Sequence, residues 1–158
     1  MSSRKKNKLT FKKSPPKSLA DILKSDISFE NIEEISRSAD IEAVAFKLRG
    51  TKLLLEKHSR ENIKLLRLIN SFNPKGMDID KNLDNLVNTA NKFNSGSIGI
   101  KCSIIEANGI ILVVFSIEEI SINEKMLNIS SESLRTIAAI LSGAPALFEK
   151  LGKAKSKE

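Results

Sequence analysis

Apolar residues recur at seven-residue spacing through residues 39–73. With Ile41 at heptad position a, Leu48, Leu55, Asn62 and Ile69 also fall at a, and Val44, Thr51, His58, Leu65 and Phe72 fall at d. A sustained repeat of this kind predicts a helical seam. Gly50 lowers helix propensity there by about 1 kcal/mol. Thr51, His58 and Asn62 are polar seam residues, and Leu53, Leu54, Leu66 and Leu68 widen the apolar surface beyond a two-stranded seam. The pattern therefore predicts one long, broadly buried helix, or two helices that break near Gly50 or at His58–Ser59. Asn73-Pro74-Lys75-Gly76 ends it.

Shorter helices are predicted on either side. Leu19, Ile22 and Leu23 stand at helical spacing. Phe29, Ile32 and Ile35 line one face of a segment capped by Asp26 or Ser28 and running to about Ser36. Asp78 or Asp80 caps a helix to about Phe93, with Ile79, Leu83, Leu86, Val87, Ala90 and Phe93 on one face.

The period changes after Asn94-Ser95-Gly96. Ile98, Ile100, Cys102 and Ile104 alternate with small or polar residues, as in a strand buried on one face. Asn108-Gly109 is a strong hairpin signal, because both residues tolerate positive φ. The return strand, Ile110 to Phe115 and on toward Ile122, is apolar on both faces and suits the middle of a sheet. Ser116–Asn123 is expected to bend into a third strand, or a second subunit to supply the cover. Ser130 or Ser131 starts a last helix with Leu134, Ile137, Ala138 and Leu141 inward. Gly143-Ala144-Pro145 is expected to break it before a short helix carrying Leu147, Phe148 and Leu151. The expected fold class is α+β and mostly helical: a helical N-terminal half, then a β-hairpin or small antiparallel sheet covered by a C-terminal helix. Residues 1–18 are expected to form a disordered basic arm, residues 19–152 one globular domain, and residues 153–158 a short basic tail.

Charge sharpens this division. Residues 1–24 carry eight cations and one anion, which accounts for the whole formal net charge of +7. The rest of the chain is neutral. Arg4, Lys5, Lys6, Lys8, Lys12, Lys13 and Lys17 are the candidate nucleic-acid contacts. Flexible lysines neutralise phosphates without reading bases, so such binding tolerates any sequence and weakens steeply with salt. Phe11 is the one aromatic residue in the arm, and the chain has no Trp and no Tyr, so base stacking contributes little. Lys47, Arg49, Lys52, Arg60, Lys64 and Arg67 would extend the basic surface if they shared a face. An acidic stripe on the body would point instead to a basic protein partner.

Catalytic and metal chemistry finds few candidates. His58 is the sole histidine and Cys102 the sole cysteine. Triads, zinc modules and intrachain disulfides all fail on that count. Gly96–Ser103 lacks the spacing of a phosphate loop and precedes a strand where such a loop follows one. Glu33/Glu34, Glu118/Glu119 and Asp78/Asp80/Asp84 are acidic clusters of the solvated kind, and the last lacks the glycine and terminal Glu of a calcium loop. The expectation is a protein that is not an enzyme and carries no cofactor or metal. It would be a nucleic-acid-associated accessory or structural protein whose arm contacts phosphates while the body oligomerises. The alternative is a protein–protein adaptor or regulatory subunit, with the arm as a localisation signal or solubilising tail. Partners are then nucleic acid or an acidic protein surface, together with further copies of the chain. No apolar run spans a bilayer, Ser2 rules out myristoylation, and two apolar arm residues are a weak membrane anchor. The expected compartment is the cytoplasm, or the nucleus in a eukaryotic host.

Overall fold

The computed structural model describes residues 17–61, 63–77, 81–122 and 129–153. Its frame is a six-stranded antiparallel sheet. Helix α1 (Leu19–Lys24) leads into strands β1 (Phe29–Arg37), β2 (Ile41–Leu48), β3 (Thr51–Arg60) and β4 (Ile63–Phe72). Helix α2 (Leu83–Gly96), the hairpin of β5 (Lys101–Ala107) and β6 (Ile110–Ile122), and helix α3 (Ser131–Lys153) follow. The spatial order is β1-β2-β3-β4-β6-β5. The final hairpin is thus added with β6 inward, against β4.

This overturns the expected helical N-terminal half. Residues 39–73 form strands β2 to β4, and Phe29–Ser36 lies within β1. The cause is a period of two interrupted by two-residue turns. Val44, Phe46 and Leu48 share one face of β2, as do Leu53 and Leu55 on β3 and Leu66 and Leu68 on β4; all are buried. At the β2–β3 turn Arg49 and Gly50 both have positive φ, at 50° and 80°. That is the hairpin geometry whose twist matches the flanking strands. Each such turn resets the alternation, and the sum imitates a heptad. In β1 the agent is a bulge: the register slips between Glu30 and Glu33, and Asn31 has φ 49°. Phe29 and Ile32 therefore reach the same core at a spacing of three.

The hairpin of the C-terminal half forms where expected, with Ala107 opposite Ile110 across Asn108-Gly109. The return strand does not bend into a third strand. It runs unbroken from Ile110 to Ile122 and pairs with β4 from Phe72↔Val113 to Ile63↔Ile122. Val113 and Phe115 are buried on the helical face, while Leu112 and Val114 lie half-buried on the other. Helix α2 is capped by Asn82, whose side-chain oxygen accepts from the Asp84 N–H at 2.9 Å. It buries Leu86, Ala90 and Phe93 but leaves Leu83 and Val87 exposed.

One face of the sheet carries the core. Leu19 and Leu23 of α1, Leu86, Ala90 and Phe93 of α2, and Leu134, Ala138, Leu141 and Phe148 of α3 pack on it. Phe115 is its hub, with ring centroids of Phe93, Phe72 and Phe148 at 5.0, 5.7 and 5.8 Å.

Helix α3 is not broken at Gly143-Ala144-Pro145; it continues to Lys153. Proline at 145 has no N–H to give the carbonyl four residues earlier, that of Leu141. The vacancy is filled from the sheet: Asn70, 4 % exposed, donates its side-chain amide to the Leu141 oxygen at 3.3 Å. A buried asparagine near the C-terminal end of β4 thus has a structural cause, and the helix keeps its path.

Candidate functional site

Helices leave the sheet's second face bare among the described residues. Among the described residues, none that belongs to the core cluster points from this face. Strand register sorts its side chains into rows running across the strands. One row reads Glu33, Ala45, Leu54, Ile69, Ser116 and Lys101 from β1 to β5. The next reads Ala43, Glu56, Arg67 and Glu118, and a third reads Ile41, His58, Leu65 and Ile120. Two largely apolar rows therefore flank a charged one.

The charged row is fixed by its own ion pairs. Arg67 donates to Glu56 Oε2 from Nη2 at 2.7 Å and from Nε at 3.1 Å. Its Nη1 lies 3.9 Å from Glu118 Oε1. His58 Nε2 adds a hydrogen bond to Glu56 at 3.2 Å. Burial alone raises the Glu56 carboxyl pKa, but the hydrogen bonds and charges of Arg67 and His58 outweigh it and hold the group below its ordinary value. His58, expected on a helical seam, is in fact a strand residue of this open face.

The two sheet edges are guarded differently. Strand β1 is bulged twice and bears exposed Glu30, Glu33 and Glu34, both devices that discourage edge-to-edge pairing. On β5, Asn94 of α2 acts as a substitute strand. Its Oδ1 accepts from the Cys102 N–H at 2.7 Å and its Nδ2 donates to the Cys102 carbonyl at 2.9 Å. Cys102 itself is buried, and desolvation pushes its thiol pKa up to about 12. At neutral pH it is a packed thiol without nucleophilic character.

Of the seven arm cations, Arg4, Lys5, Lys6, Lys8, Lys12 and Lys13 lie outside the described residues. Lys17 is exposed and lines a cleft with Lys57, Lys64, Leu19, Ile22 and Ile129. Lys57 there is paired with Glu42 at 3.7 Å, and Glu42 also accepts the Leu19 N–H at 2.6 Å, tying α1 to β2. The second basic group does not assemble. Lys47, Arg49 and Lys52 sit around the β2–β3 turn, Arg60 is at the far end of β3, Lys64 faces the helical side, and Arg67 is held by two carboxylates. Acidic groups do gather, on the edge strand β1. Among the described residues no three His, Cys, Asp or Glu side chains converge to hold a metal ion. No helix among them is long and apolar enough to cross a membrane.

The open face was missed in the sequence because it becomes visible only in strand register. Its signal was the other half of each alternation: Ala43/Ala45, Leu54/Glu56/His58 and Arg67/Ile69.

No family model and no curated protein matches the chain. Among solved structures it is similar to YbjN, a proposed transcription regulator from E. coli. The identity is 10%, the match covers 79% of this chain and 84% of that one, and the TM-score is 0.43. A score that low carries nothing from that protein to this one.

Proposed function

We propose that this protein is a non-enzymatic accessory or adaptor protein, and that it acts by docking a protein surface on the open face of its sheet. The observation that carries this reading is the one-sided cover. Three helices bury one face of a six-stranded sheet. The other presents Leu54, Leu65 and Ile69 half-buried among charged neighbours that are already paired. Apolar residues on both sides of a charged row whose members are already paired form a surface that a protein partner can cover without leaving a lone charge buried. Side chains held in place by their own ion pairs lose little further entropy on docking.

A tagged chain purified from its native host, after nuclease treatment, should bring a defined protein with it, untagged copies of the chain counted among the candidates. The Ala45→Lys variant, which plants a charge in the apolar row, should lose that protein. Undiminished recovery by a folded Ala45→Lys chain would refute the reading.

A second reading, nucleic-acid association, is favoured by two observations: all the net charge lies in residues 1–24, and Lys17 stands beside Lys57 and Lys64. The arm would then hold the docked assembly on a polyanion. Material that leaves the protein on nuclease treatment would separate this from direct protein docking.

A further inference from the structure

We propose that the occupant of the open face is a second copy of this chain, and that the two sheets pack face to face about a two-fold axis running along the strands between β3 and β4. The inference rests on the docking reading and names its partner.

The strand order singles out that axis. In the sequence β1-β2-β3-β4-β6-β5 the midline falls between β3 and β4. A two-fold there lays β3 over β4 of the second copy, β2 over β6, and β1 over β5. It is the one placement along the strands in which all six strands of each sheet are covered. The side-chain rows then meet themselves in reverse. In the first row Leu54 meets Ile69 of the second copy, Ala45 meets Ser116, and Glu33 meets Lys101. In the second row Glu56 meets Arg67. Each pairing occurs twice by symmetry. In the first row apolar meets apolar, small meets small and unlike charges meet at both margins, and in the second unlike charges meet at the centre; Ala43 faces Glu118 and, in the third row, His58 faces Leu65 while Ile41 faces Ile120.

The size is adequate. Six strands at ~4.8 Å spacing and about seven residues at ~3.4 Å give roughly 700 Å² per copy. The total of roughly 1,400 Å² falls within the span of standard specific interfaces. Twisted sheets pack in this aligned manner at about 30°, so the central Leu54, Ile69, Glu56 and Arg67 make the closest contacts. The long side chains of Glu33 and Lys101 bridge the margins.

A charge swap reads this contact and nothing else. Glu33 lies on one edge strand and Lys101 on the other, five strand spacings or roughly 24 Å apart within one copy, so they do not pair intramolecularly. Sedimentation of the full chain, treated with nuclease and in moderate salt, should show a concentration-dependent dimer. Glu33→Lys and Lys101→Glu should each raise its dissociation constant about tenfold. The double variant should restore it. Ala45→Lys should be monomeric, and Ile140→Arg, on an exposed position of α3, should dimerise as the parent does. A parent chain that stays monomeric to the limit of solubility overturns self-pairing; the broader docking reading survives that result if Ala45→Lys still abolishes capture of another protein. A dimer that ignores Ala45→Lys, or charge variants whose losses add without rescue, overturns the proposed face.

Discussion

Replacing Asn70 by Ala should destabilise the protein by about 1–3 kcal/mol, the cost of leaving a buried carbonyl without its donor. The group at risk is the Leu141 oxygen, orphaned by Pro145 and served by the Asn70 amide at 3.3 Å. Loss of packing at position 70 would also destabilise, and coupling to position 145 separates the two causes. Replacing Pro145 by Ala supplies an N–H to the same oxygen through the ordinary helical bond. In that background Asn70→Ala removes a second donor from an acceptor already satisfied, and its cost should fall by about 1–2 kcal/mol. Pro145→Ala alone should be neutral or stabilising, since proline inside a helix costs up to about 3 kcal/mol relative to alanine. The helix here has already adapted to the proline, which reduces that gain. Equilibrium urea unfolding of the four chains, followed by circular dichroism, supplies the cycle. An Asn70→Ala cost equal in both backgrounds to within about 0.5 kcal/mol would refute the account. Asparagine would then be at that position for packing alone.

Asn94→Leu should strip the substitute strand from β5, lowering stability by about 1–2 kcal/mol and promoting concentration-dependent aggregation through the exposed edge, measured by light scattering; a variant as stable and dispersed as the parent would contradict the edge role. Cys102 should resist iodoacetamide at pH 8 in the folded protein and react once urea unfolds it, as mass spectrometry would show; fast labelling of the native state would contradict its burial. Glu56 is held below its ordinary carboxyl value of 4.5, so its contribution is complete above that pH and is lost as pH falls through the lower folded value. Glu56→Gln should therefore flatten the acid limb of a stability–pH curve below about pH 4.5; an unchanged limb would disprove the linkage. Replacing Arg4, Lys5, Lys6, Lys8, Lys12 and Lys13 by Ser should weaken binding to any duplex and reduce the magnitude of the logarithmic salt slope by about 5; an unchanged slope would remove the arm from that interaction.

Local chemistry made some elements legible. Asn108-Gly109 announced its hairpin because both residues accept positive φ, at 53° and 71°. Leu86, Ala90 and Phe93 announced the buried face of α2, and Ser130 its place at the head of α3, where its hydroxyl accepts the Ser133 N–H at 3.1 Å. The meander was not legible because its turns carry Arg49 and Glu61 at positive φ, 50° and 47°. Neither residue type signals a turn, whereas the repeat from Ile41 to Phe72 signals a helix. Pro145 misled in the opposite sense. A proline normally stops a helix, and the donor that rescues this one stands on a strand 71 residues away. The candidate face was hidden for a related reason. Glu56, Arg67 and Glu118 look like scattered surface charges until register sets them side by side.

The pairing of β6 with β4 also orders events while the chain is being made. Strands β1 to β4 are joined by short turns and can form a meander as soon as they emerge. The free edge of β4 then waits for a partner that ends at Ile122, 50 residues beyond Phe72. At ordinary synthesis rates that interval is roughly 3–10 s. Throughout it the meander exposes Leu66 and Leu68 without the cover of α3, beside an unpaired backbone edge. Nascent chains of this protein are therefore most exposed to misassociation between the completion of β4 and the arrival of β6, the window in which a chaperone would have its greatest effect.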